Sequence, residues 1–245
     1  MTDAASYGNK IADVYDLLYE PPSEEMLARL AELAGAGGRA LELGVGTGRV
    51  ALPLVERGVE VHGIDASPAM VAKLRAKPRG GEVQVSVGDF AEVGGVAGGP
   101  FQLVYCVFNT FFVLLTQDEQ LRCLEGVARV LAPGGRLVLE LFVPDPTRFT
   151  RHQPPLLGAF RPDEVMFEAS RHDAIGQRIS SQLVRISNGG AAIFPIELRY
   201  IWPSELDLMA RLAGMRLAER WGGWDRRAFG AKATMHVSVY EPRRA

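Results

Sequence analysis

The sequence predicts an α/β fold: a doubly wound, mostly parallel seven-stranded sheet with a small antiparallel β insertion after the fifth strand. Three observations carry this. Short apolar runs alternate with segments of helical period. The first run leads straight into the glycine-rich "LELGVGTGRV", Leu41 to Val50. Residues 144–202 then break the alternation with three strand-like segments, after which it resumes.

The elements follow in order. "PPSEEMLARLAELAG" sets Met26, Leu27, Leu30 and Leu33 at helical spacing and stops in Gly35, Gly37 and Gly38. "RALELG" is the first strand, and a helix is expected from about Thr47 to Arg57, bent or shortened by Pro53. "VEVHGID" is the second strand. Ser67 caps the next helix with Pro68 at its first position. "EVQVSVGD" is the third strand and "AEVGGVAGGP" a glycine-rich surface loop. "FQLVYCVF" is apolar throughout, as a central strand buried on both faces requires. Thr116 and Glu119 form a capping box ahead of Leu121, Leu124, Val127, Ala128 and Leu131. "APGG" ends that helix, and "RLVLELF" is the fifth strand. In the insertion, "EVMFEASRH", "QRISSQLVRIS" and "AAIFPIELRYI" are separated by the hairpin turns "DAIG" and "NGG". Ser204 is expected to cap "ELDLMARLAG", and "MRLAERW" and "ATMHVSVYE" complete the sheet.

Composition sets limits. The 245 residues, 47% hydrophobic and 23% charged, suit one domain, 1–245, with the insertion at about 144–202 as a substrate cap or dimer element. A net charge of −2 gives no basic field for nucleic acid or anionic lipid. Cys106 and Cys123 form no C-x-x-C and read as reduced core residues. "MTDAASYGNK" lacks an apolar targeting core and no run of 18 apolar residues occurs, so the expectation is a cytoplasmic protein without a membrane span.

The glycine loop carries the chemistry. Gly44, Gly46 and Gly48 make G-x-G-x-G, but Arg49 stands where a dinucleotide fingerprint has its third glycine. No Lys-Ser/Thr follows, which excludes a P-loop. Glu42, two residues before the loop, sits poorly beside a pyrophosphate and well beside a cationic amine. Asp65 ends the second strand, where a carboxylate pairs with ribose hydroxyls. Asp89 follows the third strand and can accept from an adenine amino group, with Phe90 packing on the ring. Three strand-end acids and a glycine loop outline adenosine with a positively charged amino-acid tail, the shape of S-adenosylmethionine.

With "LELGVGTGR", "GIDAS", "GDF", "FQLVYCVFNTF" and "LAPGGRLVLEL" in this order, the chain resembles the class I S-adenosylmethionine-dependent methyltransferases, whose fold is Rossmann-like. The likeness is close over about 12–142 and weaker to the C-terminus. "YDLLY" and the inserted strands look more like the small-molecule subgroup, comparable with amino-sugar N,N-dimethyltransferases of antibiotic biosynthesis. The resemblance implies that Gly44, Gly46 and Gly48 cradle the donor's methionine portion and that Glu42 faces its ammonium. It places Asp65 and Ala66 at the ribose, Met70, Asp89 and Phe90 at the adenine, and Val107 to Asn109 beneath the sulfur. Tyr19 closes over the donor.

Each assignment has a structural rival. Glu42 could cap the loop helix, Met70 could be ordinary core, and Arg49 a solvated arginine. Tyr15 and Tyr19, four apart on a helix, share a face that packing alone explains. No histidine has metal-ligand spacing, so no metal is expected. His62 and His236 read as structural. His152 and His172, in or beside the insertion, are weak candidates for a base, alongside Tyr15, Tyr19 and Asn109. After the fourth motif, where amino-sugar enzymes place a histidine or tyrosine, this chain has Phe111, Phe112 and Val113. Trp202, Trp221 and Trp224 read as aromatic core, and "WGGW" as a strand end and a turn. Neither face of "QRISSQLVRIS" is cleanly apolar, so the insertion is expected to roof the acceptor pocket, pair with a second subunit, or both. The expected activity is methyl transfer to N or O of a small-molecule acceptor. The alternatives are a non-catalytic S-adenosylmethionine-binding protein and a nicotinamide-dependent oxidoreductase.

Overall fold

A computed structural model describes residues 5–145, 147 and 156–243, with the backbone alone for 156–161. Two short N-terminal helices, α1 (Ser6–Ile11) and α2 (Tyr15–Leu18), precede α3 (Glu24–Ala34), which Ser23 caps by accepting from the Met26 N–H. Then come β1 (Arg39–Leu43), α4 (Ala51–Glu56), β2 (Glu60–Asp65), α5 (Pro68–Arg75), β3 (Gln84–Val87), β4 (Phe101–Cys106), α6 (Gln117–Val130) and β5 (Leu131–Phe142). The insertion holds β6 (Leu156–Arg161), β7 (Glu164–Asp173), β8 (Arg178–Ser187) and β9 (Gly190–Arg199). The chain closes with α7 (Pro203–Leu212), β10 (Met215–Trp221) and β11 (Met235–Pro242).

The main sheet has the order β3-β2-β1-β4-β5-β11-β10, with β11 antiparallel to both its neighbours. The direction of strand addition reverses between β1 and β4, and a ligand crevice opens at the carboxyl ends of strands at such a point. Alternation in the central strands sorts side chains to two cores. Leu41, Leu43, Val104 and Cys106 meet α6 and α7, while Ala40, Leu103 and Tyr105 meet α3 and α4. Cys106 and Cys123 are buried free thiols.

Several local expectations change. The loop after β1 holds the chain to Val50, so α4 begins at Ala51 and not Thr47. Pro53 then falls in its first turn, where the missing N–H costs nothing. Gly48 meets a packing demand as well: it has φ +77°, and a Cβ there would lie 2.9 Å from Leu74 Cγ. The "AEVGG" stretch is no mere surface loop. It forms 3-10 turns over Phe90–Gly95, with Val93 fully buried and Gly94 pressed against Gly126 of α6. β5 begins at Leu131 and takes "APGG" into the strand. α7 starts at Pro203, with Trp202 as N-cap and Ser204 inside the helix. The capping box of Thr116 and Glu119 forms as the sequence predicts.

The insertion is a four-stranded antiparallel sheet in the order β6-β7-β8-β9, one strand more than the sequence suggested. Asn188 and Gly189 make the two-residue turn that pairs Ser187 with Gly190. A polar hub bolts this sheet to the α/β body. Arg199, 5% exposed, donates to Gln120 Oε1 at 2.5 Å, to Glu205 Oε1 at 2.8 Å and to Gln177 Oε1 at 3.2 Å. Gln120 in turn donates to the carbonyls of Leu114 and Arg199 at 3.1 and 3.0 Å.

Candidate active site

A cavity of about 490 Å³ lies between the carboxyl ends of the central strands and the inserted sheet. Gly44, Gly46, Asp65, Ala66, Met70, Asp89, Phe90 and Asn109 line the side formed by the main sheet. Tyr7, Tyr15 and Tyr19 close one flank. Ile179, Ser181, Leu183, Ile196 and Leu198 of β8 and β9 form the roof, with Glu168 of β7. The inner face of β8 is therefore Ile179, Ser181 and Leu183, while Gln182 and Ile186 look outward to solvent.

Backbone geometry shapes the donor side. Gly44 has φ +74°, and a Cβ would come within 2.4 Å of Thr110 Cγ2. Gly46 has φ +54° and open space where its Cβ would be. Asp65 closes this loop: Oδ2 accepts from the Gly46 N–H and Oδ1 from the Ser67 N–H, each at 2.8 Å. Burial raises the Asp65 carboxyl above its ordinary value, against the pull of those two bonds. Asp89 caps the following turn by accepting from the Ala91 N–H at 2.8 Å.

Behind the glycines lies a small chamber of about 30 Å³, bounded by Tyr15, Glu42, Arg49, Val107 and Phe108 among others. Glu42 and Val107 belong to this chamber and not to the main cavity. Tyr105 donates to Glu42 Oε2 at 3.0 Å. Burial pushes the Glu42 carboxyl from an ordinary 4.5 up to about 8, outweighing the Tyr105 bond and the nearby Arg49 charge. Arg49 is neither a bystander nor fully solvated. It donates to the Glu20 carbonyl at 2.8 Å and lies over the Phe108 ring, 4.7 Å from its centroid.

The N-terminal segment is pinned across this site. Gly8 lets α1 approach so closely that a Cβ would stand 2.7 Å from Ser67 Cβ. Asn9 Oδ1 accepts from Ser67 Oγ at 2.7 Å, and Asp16 accepts from Thr47 Oγ1 at 2.7 Å and pairs with Lys77 at 2.8 Å. Tyr7 and Tyr19 share a hydroxyl–hydroxyl bond of 3.0 Å, and Tyr15 packs against Tyr19 with the rings tilted by 55° and centroids 4.7 Å apart. Burial raises all three phenols above their ordinary value, Tyr15 to about 12, so they keep their protons.

His172 does not join them. It hydrogen-bonds the Tyr200 hydroxyl at 2.8 Å and is outside the cavity lining, because its neighbours at the end of β7 are the hairpin and Tyr200. His152 lies outside the described residues. His62 and His236 are buried in strands, as expected, and burial pushes His236 down to about 4. Phe111 and Phe112 are core; only Val113 of that trio reaches the cavity. Sequence reasoning missed Tyr7, which the docking of α1 brings to the cavity, and Glu168 and the roof residues, whose positions depend on strand register in the insertion.

A family model described as a methyltransferase domain matches residues 40–135. The CcbJ methyltransferase from Streptomyces caelestis is 40% identical and superposes with a TM-score of 0.88, over 98% of this chain and 99% of that one. The chain belongs to the S-adenosylmethionine-dependent methyltransferases. This methyltransferase is also 28% identical to the cypemycin N-terminal methyltransferase of a Streptomyces species, over 98% of this chain and 99% of the relative. It shares its fold with the S-adenosylmethionine-bound amino pentose methyltransferase CalS10 from Micromonospora echinaspora, at 24% identity and a TM-score of 0.66 over 88% of each chain. The enzyme's donor is S-adenosylmethionine, and neither the oxidoreductase nor the non-catalytic alternative is retained. The donor side of the cavity fits that group: Gly46 leaves room for it, and the enclosed Glu42 carboxyl calls for a cation. Among the described residues no helix is long and apolar enough to cross a membrane.

Proposed function

We propose that the enzyme N-methylates a small-molecule amine with a largely aliphatic body. The observation that carries this is the composition of the roof. Glu168 stands among Ile179, Leu183, Ile196 and Leu198, opposite Tyr7 and Tyr19. A carboxylate in such surroundings draws in a cationic ammonium, and the apolar walls take an aliphatic frame. The chemistry also favours nitrogen. A hydroxyl acceptor, far less acidic than an ammonium, wants a stronger base than a carboxylate, yet the tyrosines hold their protons and no histidine lines the cavity among the described residues. The bound ammonium must release one proton before its nitrogen can attack, and Glu168, which also accepts from Ser170 Oγ at 3.1 Å, is placed to receive it. The relative named for N-terminal methylation supports methyl transfer to nitrogen.

When bound, S-adenosylmethionine supplies an electrophilic methyl group on a sulfonium. Asp65 and Ala66 would hold the ribose side, Met70, Asp89 and Phe90 the adenine side, and Gly44, Gly46 and Asn109 the length between. Glu42 and Arg49 would meet the ammonium and carboxylate of the amino-acid end, with Val107 behind and Tyr19 across the opening. The chain's own contribution is alignment and exclusion of water, which account for much of the rate in an in-line transfer. We assign the inserted sheet to the acceptor's roof.

Incubating the enzyme with donor and matched panels of aliphatic amines and alcohols, read by mass spectrometry, tests the proposal. Methylation of amines is expected, and of alcohols alone would overturn it. Glu168→Gln is expected to lower kcat/KM on the best amine by about tenfold or more, ~1.4 kcal/mol, with S-adenosylhomocysteine affinity within about twofold.

Glu42 makes a separate pH prediction. Its raised value means that the ligand-free fold holds a proton there. The associated stability is full below the ordinary 4.5 and is lost as pH rises through about 8. A ligand ammonium placed beside the carboxyl displaces that proton. Calorimetry of S-adenosylhomocysteine binding in buffers of different ionisation enthalpy should therefore show proton release at neutral pH, fading above about 8. Glu42→Gln should abolish it; unchanged release in that variant would remove Glu42 from the donor site.

A further inference from the structure

Phe108 and Asn109 adopt left-handed backbone angles in succession, φ +58° and +63°. For an aromatic residue such as Phe108 this conformation is strained, and it persists only where the surroundings enforce it. One residue does most of the enforcing. The Phe108 N–H donates to Glu140 Oε2 at 2.8 Å, and the Asn109 N–H donates to the Glu140 carbonyl at 3.1 Å. The same strand returns a bond, from the Phe142 N–H to Asn109 Oδ1 at 2.7 Å.

Glu140 is itself held. Its second oxygen accepts from Trp224 Nε1 at 3.1 Å, across 84 positions of sequence. Trp224 is 8% exposed and lies in the loop between β10 and β11. The turn enforced in this way presents the Phe108 ring to two partners. It packs edge-to-face with Tyr19, centroids 5.0 Å apart, and its face carries the Arg49 guanidinium. Phe108 lines both the main cavity and the small chamber of Glu42 and Arg49, as do Tyr15, Gly44, Gly46 and Thr110, so its placement helps set the partition between them.

We propose that Glu140, tied down by Trp224, is a positioning residue that fixes Phe108 and thereby shapes the chamber for the donor's amino-acid end. The inference rests on the reading above that this chamber receives that end. It links the C-terminal loop, outside the matched domain of residues 40–135, to donor selection.

Two probes separate positioning from general damage. S-adenosylhomocysteine carries the amino-acid end; 5′-methylthioadenosine has the same nucleoside and thioether without it. Calorimetry on the full chain is expected to show Glu140→Ala weakening the first by at least about tenfold, with the second within about twofold. Glu140→Gln, with one acceptor oxygen for two donors, should fall between it and the native chain. Trp224→Phe should cost the first probe about threefold, while Trp221→Phe, which removes a buried indole not touching Glu140, should cost nothing. Should Glu140→Ala fail to fold, Glu140→Gln and Trp224→Phe supply the same ratio. Equal losses for both probes, unchanged S-adenosylhomocysteine affinity in Glu140→Gln and Trp224→Phe, or matching losses in the two tryptophan variants would overturn the proposal. Equal affinity of the native chain for both probes would overturn the reading of the chamber and the proposal with it.

Discussion

Replacing Arg199 by methionine is expected to destabilise the fold by about 3 kcal/mol, the low end of the range for stranding one member of a buried ion pair. Methionine keeps the length and the apolar contact of the stem but leaves Glu205 without its cation and Gln120 Oε1 without its donor. For a chain of this size the melting temperature should drop by roughly 6–12 °C. Burial alone would raise the Glu205 carboxyl, yet the bonds from Arg199, Gln177 and Gln117 hold it below its ordinary value. A depressed carboxylate adds stability that is present above its unfolded value and lost as pH falls through the folded one. The stability gap between Arg199→Met and the native chain should therefore narrow in acid. Arg199→Met/Glu205→Gln should recover part of the loss at neutral pH, since no charge is then stranded. Thermal unfolding followed by circular dichroism measures all three, and a loss below about 1 kcal/mol would show that the hub is not what fastens the inserted sheet.

Asp65→Ala should weaken S-adenosylhomocysteine by ~1.5–3 kcal/mol, on the order of ten- to a hundredfold. Two causes act together. The variant removes the acceptor oxygens offered to a ribose, and it releases the Gly46 and Ser67 N–H groups that Asp65 holds in place. Asp65→Asn keeps the shape but has one acceptor oxygen for those two donors, so it should also bind weakly. Melting temperatures should move little, because the side chain sits at the end of β2 and outside the hydrophobic core. Full affinity in a folded Asp65→Ala chain would place the ribose elsewhere.

The parts legible in the sequence were those fixed by local rules. Gly44 and Gly46 need left-handed backbone, the acids at 65 and 89 close strands, and Thr116 with Glu119 writes out a cap. Asn188-Gly189 specifies its own turn. Other features depend on partners far along the chain. Nothing around Phe108 announces a left-handed pair, because the group that enforces it is Glu140 and the group that secures Glu140 is Trp224. Glu168 looks like any alternating residue of a solvated strand until the register of β7 against β8 turns it toward the cavity. The packing demand at Gly48 is hidden for a related reason: it comes from Leu74, a contact made only after α5 has packed. β6 went unrecognised because its ladder to β7 is irregular between Leu157 and Ala159, and no clean alternation marks it.

The clasp between α1 and the cavity also orders events during synthesis. Ile11 and Ala12 form a small apolar cluster with Met70 and Phe194, and Phe194 belongs to the last strand of the inserted sheet. α1 thus completes its docking surface only after the chain through β9 has been made. Bringing together segments so distant in sequence costs entropy that local contacts do not, and such contacts form late. The central sheet can assemble while its ligand crevice is still open on the tyrosine side. A nascent or truncated chain lacking β9 would hold the strand-end acids yet leave the N-terminal wall without half of its seat.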